Sequence, residues 1–492
     1  MNFRYIGLIL GAILALEGML MGTCWLYAWL SPLDRETAME HSWAVATCVT
    51  FTTGVLLVAL CRREISSQIM RREAMAVIGL TWIVSGLFAS IPFMMEPLNM
   101  MPWDALFESY SGLTTTGATV MSNLNEKPHS IILWRSMMQW IGGLGIIILF
   151  VAVLGLFNAG GKSLFTSESS AVAESESVAR IKALSIGYLT LYLAFTVIGL
   201  LGMVLSGSET FEALNLAMCG IATGGFSPVD ESAGHLPEIS QMFLIFLMVS
   251  GGIAFPVHYQ LWILRRLEVV KTNTELHVYG AILFVATAII AVDLIWVGQY
   301  RTGDYHWIIV DSLFQVTSIM TTSGFSSADF NAWPPLAKVI LLGLMIIGGC
   351  AGSTSCGLKV ARVVVFFKAM LRQIRQAFRP HRVFKLNMNG RPLSEKIIAG
   401  VIFYVALNFF MVLIGVFGLA IMQPQVNMAT IISAVLACIN NIGPGLELVG
   451  PSENYAFLRP ISKLWLSLLM LLGRIEFFAV LVLFFPSFWK KF

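Results

Sequence analysis

Four short segments of this 492-residue chain place a glycine at one fixed position, and three of them set hydroxyl side chains beside it. They read Thr115-Thr116-Gly117-Ala118-Thr119, Thr223-Gly224-Gly225-Phe226-Ser227, Thr322-Ser323-Gly324-Phe325-Ser326 and Asn441-Ile442-Gly443-Pro444-Gly445. The first three share Thr-x-Gly-x-Ser/Thr, and all four keep the central glycine, with spacings of 108, 99 and 119 residues. Glycine permits the left-handed or extended torsions that turn successive carbonyls the same way. Four such loops about one axis would offer rings of backbone carbonyls, with hydroxyl oxygens beside them, in place of the hydration shell of a hard cation.

Loops of this kind need elements to carry them. A short helix-like stretch precedes each: Trp103–Leu113, Thr210–Ile221, Trp307–Met320 and Asn427–Cys438. None is long enough to cross a bilayer. Acids mark the starts or first turns of three (Asp104 and Glu108, Glu209 and Glu212, Asp311), where an anion complements the positive end of the helix dipole. The fourth has only Asn427 as a cap. Each helix would aim its negative C-terminal end at the shared centre, where a cation gains.

Around these stretches the chain is apolar. Hydrophobic residues make up 57% and charged residues 12%, about half the charge of a soluble chain, and mean hydropathy is +0.79. Apolar runs predict ten full spans, at 5–30, 42–61, 74–95, 131–157, 183–207, 239–264, 278–299, 336–366, 397–422 and 461–487. The first is longer than a signal-peptide core and no clear small-residue cleavage site follows, so it reads as a retained helix.

Lysine and arginine set the orientation. One side holds 23 of the 31, among them Arg62, Arg63, Arg71, Arg72, Lys162, ten residues from Lys359 to Lys396, and Lys490 and Lys491. The other holds seven: Arg35, Lys127, Arg135, Arg301, Lys338, Arg459 and Lys463. An even number of spans then puts both termini in the cytoplasm. Seventeen of the 28 acids fall in the outer connections, a field that would concentrate cations at the mouth. The seven cysteines, mostly in apolar runs, suggest free thiols rather than a disulfide framework.

Span, short helix, glycine loop and span recur four times. The expected fold is an all-α polytopic membrane protein with four span–pore-helix–span repeats around a pseudo-fourfold pore, plus an N-terminal two-helix hairpin. The units are the hairpin at 1–66 and repeats at 67–162, 163–272, 273–385 and 386–492. Irregular backbone at membrane depth is tolerated only where it is buried or lines a watery cavity. A solute transporter built on inverted repeats would send its broken helices in opposite senses, whereas all four here enter from outside. The seven histidines are scattered and no His-Glu-x-x-His occurs, so no enzyme is expected.

At these residues the chain resembles the Trk/Ktr/HKT superfamily of potassium and sodium transport proteins, and within it the bacterial Trk-type membrane subunit. The likeness covers nearly the whole chain. It includes the four loop segments at 114–120, 222–228, 321–330 and 440–447, and Gly142-Gly143-Leu144-Gly145, Gly251-Gly252-Ile253-Ala254-Phe255-Pro256 and Gly348-Gly349-Cys350-Ala351-Gly352-Ser353 after the first three loops. The N-terminal hairpin is similar to Trk rather than Ktr.

The resemblance implies potassium uptake across the bacterial cytoplasmic (inner) membrane, with a K+ filter at Thr115, Thr116, Gly117, Thr223, Gly224, Gly225, Thr322, Ser323, Gly324, Asn441, Ile442 and Gly443. Glycine at all four central positions favours potassium, with sodium symport or weaker selectivity as the alternative of the same fold. It also implies a homodimer with one pore per chain and a cytosolic nucleotide-binding regulatory ring. ATP, ADP or NAD would act only through that partner. No covalent cofactor and no nucleic-acid partner is expected.

Residues 348–357, inside the span that follows the third loop, hold Gly348, Gly349, Cys350, Ala351, Gly352, Ser353, Thr354, Ser355, Cys356 and Gly357. Glycine costs about 1 kcal/mol per helical position, so a regular lipid-facing helix is not expected. From the residues alone, a movable loop under the filter and a small-residue packing face stand open together. The resemblance favours the gate, and a stiffer one, because many relatives have more glycine where this chain has Ser355-Cys356. Arg474 lies in the last span, with Glu476 two residues on. An intramembrane arginine costs several kcal/mol unless it faces water or a partner. The resemblance makes it the pore barrier; a pair with Glu476 or with carbonyls of a neighbouring helix is the structural alternative.

Overall fold

In the computed structural model, residues 2–32, 34, 39–62, 71–161, 170–298, 300, 301, 303–379, 382 and 384–490 are described. The expected boundaries at 66/67 and 162/163, and Arg35, Arg63, Lys162 and Lys491, lie outside these residues.

The chain is all-α. An N-terminal hairpin, α1 (Phe3–Leu30) and α2 (Met39–Cys61), precedes α3 (Arg71–Ala89), α4 (Pro102–Leu113) and α5 (His129–Gly161). Next come α6 (Ser170–Leu205), α7 (Thr210–Ala222) and α8 (Glu238–Gly252), then α9 (Thr274–Val297), α10 (Tyr305–Met320) and α11 (Pro335–Leu344). Helices α12 (Val360–Phe378), α13 (Glu395–Met422), α14 (Met428–Ile439) and α15 (Pro460–Arg474) follow, with shorter helical turns between and after these elements. One two-residue hairpin, Asn387–Met388 against Arg391–Pro392, is the strand structure among the described residues.

Among the described residues, seven helices are long and apolar enough to cross a membrane, and the outward-facing positions of α9 and α13 (Phe284, Trp296, Phe409, Phe417) are apolar and exposed. That is the surface of a multi-pass membrane protein, since only helices and closed barrels satisfy every backbone group in lipid. The short helices α4, α7, α10 and α14 are buried over most of their length inside this shell.

Three of the ten expected spans are not continuous. The run 239–264 stops at Gly252 and turns through 101° before Phe255–Ile263. Pro256 explains the turn: it has no N–H for the Gly252 carbonyl four residues back, and its ring would clash there. The run 336–366 is broken between α11 and α12, where the glycines predicted an interruption. The run 461–487 is interrupted after Arg474, where Glu476 and Phe477 take left-handed torsions (φ 56° and 62°), and helix resumes at Phe478. Apolar length predicts a span and is blind to a break that the neighbours satisfy.

Candidate functional site

Each of α4, α7, α10 and α14 ends in the same way. The residue after the last turn is left-handed: φ is 53° at Thr115, 52° at Thr223, 57° at Thr322 and 54° at Asn441. The next N–H, of Thr116, Gly224, Ser323 and Ile442, reaches back to the carbonyls of Ser111, Cys219, Ser318 and Ala437 at 2.8–2.9 Å. This is the Schellman closure. A β-branched residue in that torsion is an outlier, and backbone strain of this kind persists only where the surroundings over-determine it. Asparagine adopts the left-handed region more easily, so Asn441 departs from threonine without departing from the shape.

One residue later, all four central glycines again have positive φ: 83° at Gly117, Gly225 and Gly324, and 100° at Gly443. A Cβ on Gly117 would strike the Gly224 carbonyl, one on Gly225 that of Ser323, and one on Gly324 that of Ile442. A Cβ on Gly443 would meet the Thr116 carbonyl at 2.8 Å. The four contacts close a ring in chain order. A vestibule opens above it, lined by all four glycines. Among the described residues, the carbonyls of Thr116, Ser323 and Ile442 accept no hydrogen bond.

The ring is braced from behind, and the bracing by Gln139, Arg135 and Tyr455 escaped sequence reasoning. Gln139 donates to the Gly224 carbonyl at 2.6 Å and accepts from the Phe226 N–H at 3.1 Å. Arg135, 1% exposed, pairs with Glu108 at 2.7 Å, donates to the Ser227 carbonyl and lies 4.0 Å from the Phe226 ring. Glu108 also accepts from Thr119 Oγ1 and the Val120 N–H. Tyr455 donates its N–H to the Thr119 carbonyl and its hydroxyl to that of Gly443. Asn441 Nδ2 donates to Thr116 Oγ1 at 2.8 Å.

Two acids expected at helix N-termini are corrected here. Glu108 and Asp311 are buried past the first turn, and Asp311 accepts from Ser327 Oγ and the Tyr300 hydroxyl. They fasten loops rather than complement a dipole. Arg135 and Gln139 recur at i, i+4 in an otherwise apolar run; that spacing was the available signal.

Beneath the ring lies the Gly348–Gly357 segment, which docks on the broken α8. The Gly252 carbonyl, released by Pro256, accepts the Cys350 N–H at 2.8 Å. The Gly251 carbonyl accepts both the N–H and the hydroxyl of Thr354, and the Phe255 N–H donates to the Gly352 carbonyl. Two breaks therefore satisfy one another, as buried backbone groups must be satisfied. The segment touches the loops above as well. Thr354 Oγ1 is 3.3 Å from Thr223 Oγ1, Ser355 Oγ is 3.3 Å from Thr322 Oγ1, and the Cys356 N–H donates to Thr322 Oγ1 at 2.8 Å. Ser355 Oγ also accepts from the Gly349 N–H.

Arg474, 2% exposed, fastens this segment from the fourth repeat. Nη1 donates to the Thr354 carbonyl and to Cys356 Sγ, and Nη2 to the Gly142 carbonyl of α5, each at 2.8 Å. Its suggested pair with Glu476 is not formed; Glu476 bonds Arg362 at 2.5 Å. The carbonyl contacts of the structural alternative are present. All four repeats thus meet beneath the ring.

Comparisons with known proteins bear on the family and the overall fold. A family model described as TrkH, cation transport protein, matches residues 44–491. The chain is 33% identical to the Trk system potassium uptake protein TrkH of Escherichia coli strain K12, over the full length of both. It is 34% identical to the TrkH of Halomonas elongata, again over the whole of each. The crystal structure of the potassium transporter TrkH from Vibrio parahaemolyticus superposes with a TM-score of 0.88 at 28% identity, covering both chains completely. These relatives are transport proteins, not enzymes. The chain belongs to the TrkH family of cation transport proteins.

Proposed function

We propose that the chain is the potassium-conducting subunit of a Trk-type uptake system, with the four-loop ring as its selectivity filter. The observation that carries this reading is the closed cycle in which each central glycine abuts the neighbouring loop's carbonyl. Thr115, Thr116, Gly117, Thr223, Gly224, Gly225, Thr322, Ser323, Gly324, Asn441, Ile442 and Gly443 are its filter residues. Carbonyls without protein donors stand in for the water an entering ion sheds. Each short helix also points its C-terminal end, with its partial negative charge, toward the ring.

Gly348, Gly349, Cys350, Ala351, Gly352, Ser353, Thr354, Ser355 and Gly357 form the gate, and Arg474 is the electrostatic barrier beneath the filter. A cation leaving the ring would meet a guanidinium that, among the described residues, has no acid bonded to it. The five units (hairpin and four repeats), a homodimer with one pore per chain, a nucleotide-binding regulatory ring and cytoplasmic termini in a bacterial inner membrane complete the reading. The basic excess on one side supports that orientation.

Potassium-limited growth and rubidium uptake test the proposal. Gly117→Ser should lower discrimination of rubidium over sodium by at least about tenfold, a change of about 1.4 kcal/mol. Arg474→Ala should raise basal flux. Unchanged selectivity and rate in both would end the assignment.

A further inference from the structure

The gate segment is held at its two ends by a residue outside every motif considered so far. Glu275 sits in the first turn of α9 and is 8% exposed. One of its carboxylate oxygens accepts the Ala351 N–H at 2.7 Å and the Ala361 N–H at 3.0 Å. Ala351 lies where the segment enters and Ala361 in the first turn of α12, where it leaves. The part between them makes the contacts to Thr223, Thr322 and Arg474.

The first turn of α12 has no cap of its own, because Lys359 offers no side-chain acceptor. The Glu275 carboxylate takes that role, with the favourable charge for a helix N-terminus. The next residue, Arg362, is held from the other side. It bonds Glu476 at 2.5 Å and lies 3.9 Å from the Tyr404 ring. Glu476 is two residues from Arg474. The start of α12 is therefore anchored by two carboxylates from two different repeats.

We propose that Glu275 is the positioning residue that latches the gate shut: it pins both ends of the segment on one oxygen, so a displacement of α12 releases Ala361 and Ala351 together. This rests on the reading of residues 348–357 as the gate. Arg362–Glu476 is the second hold on the same turn. Because α12 runs to Phe378, inside the basic segment Ala377–Lys396 of the sequence, a push on that end of the helix would reach the latch.

The test uses the full-length chain in liposomes with Cys24, Cys48, Cys61, Cys219, Cys350 and Cys438 replaced by alanine, leaving Cys356 as reporter. Cys356 is 6% exposed beneath the ring, so its modification by a methanethiosulfonate reagent reports release of the segment. Glu275→Ala should speed modification and raise basal rubidium efflux by at least about tenfold, because two bonds to a charged acceptor are lost. Glu275→Gln, which keeps the acceptor oxygen, should return both to within about threefold of the parent.

Ala361→Pro removes one of the two donors in a first helical turn, where proline is tolerated. It should act in the same direction and more weakly, and it serves if Glu275→Ala does not assemble. Faster modification without added flux would uphold the latch and overturn the gate. Unchanged modification in both Glu275→Ala and Ala361→Pro, with Arg474→Ala still raising flux, would overturn the latch and leave the gate.

Discussion

The loop ring and the segment beneath it sit against each other and are fastened in opposite ways. The ring is made by backbone: four identical Schellman closures, four positive-φ glycines and a carbonyl behind every glycine. Its braces, such as Gln139 and Arg135, stand behind the loops. The segment at 348–357 has little regular structure of its own and hangs from contacts with Gly251, Gly252, Glu275, Thr322 and Arg474. On the proposed reading, the part that holds an ion's geometry is locked locally, whereas the part that moves is held by contacts that separate without unfolding anything. Locally stable and detachable elements coexist in one fold because opening free energies are not uniform across a structure.

The largest expected effect attacks the ring's bracing. Arg135→Leu leaves Glu108 buried and unpaired, and breaking a buried pair by removing one partner costs about 3–5 kcal/mol. Thermal unfolding in detergent should show a clear loss of stability, with Arg135→Lys only partly sparing it because lysine lacks the planar fork.

Next, Gly324→Ala places a methyl where the Ile442 carbonyl stands, at a torsion of 83°. Overpacking of this kind costs about 1–3 kcal/mol. Rubidium uptake should fall about tenfold or more while the chain still assembles.

Beneath the ring the same experiment should go the other way. Arg474→Ala removes three hydrogen bonds from a charged donor, worth about 1.5–3 kcal/mol each, and unassisted flux should rise at least about tenfold. Arg474→Lys keeps the charge but not the fork, so flux should lie between the two.

The smallest effect is that of Ser355→Gly, which deletes the neutral acceptor of the Gly349 N–H and the long contact to Thr322 Oγ1, worth about 0.5–1.5 kcal/mol for the first. Basal flux should rise about threefold. If loosening the lower segment reduced flux, or if Gly324→Ala raised it, the contrast between the two regions would be wrong.

The repeats, their in-phase glycines and the short helices were legible because they follow from hydropathy and one recurring triplet. Even the divergent fourth loop was legible from its central glycine, and Asn441 keeps the left-handed torsion that threonine keeps in the others. The span breaks at Gly252 and after Arg474 were not legible. A helix can stop in mid-membrane only when a distant segment supplies its missing partners, and the Cys350 N–H that uses the Gly252 carbonyl lies about a hundred residues away. Glu108 and Asp311 were misplaced for a related reason. An acid near a helix start reads as dipole complement until the arginine or serine it faces is known. Glu275 carried no local signal, because its role depends on two backbone N–H groups from another part of the repeat.

Anomalous diffraction from crystals grown in rubidium tests the central reading most directly. The account predicts a rubidium peak on the axis enclosed by the carbonyls of Thr116, Gly224, Ser323 and Ile442, lost when sodium replaces rubidium. Rubidium bound elsewhere in the molecule, with that axis empty, would contradict it.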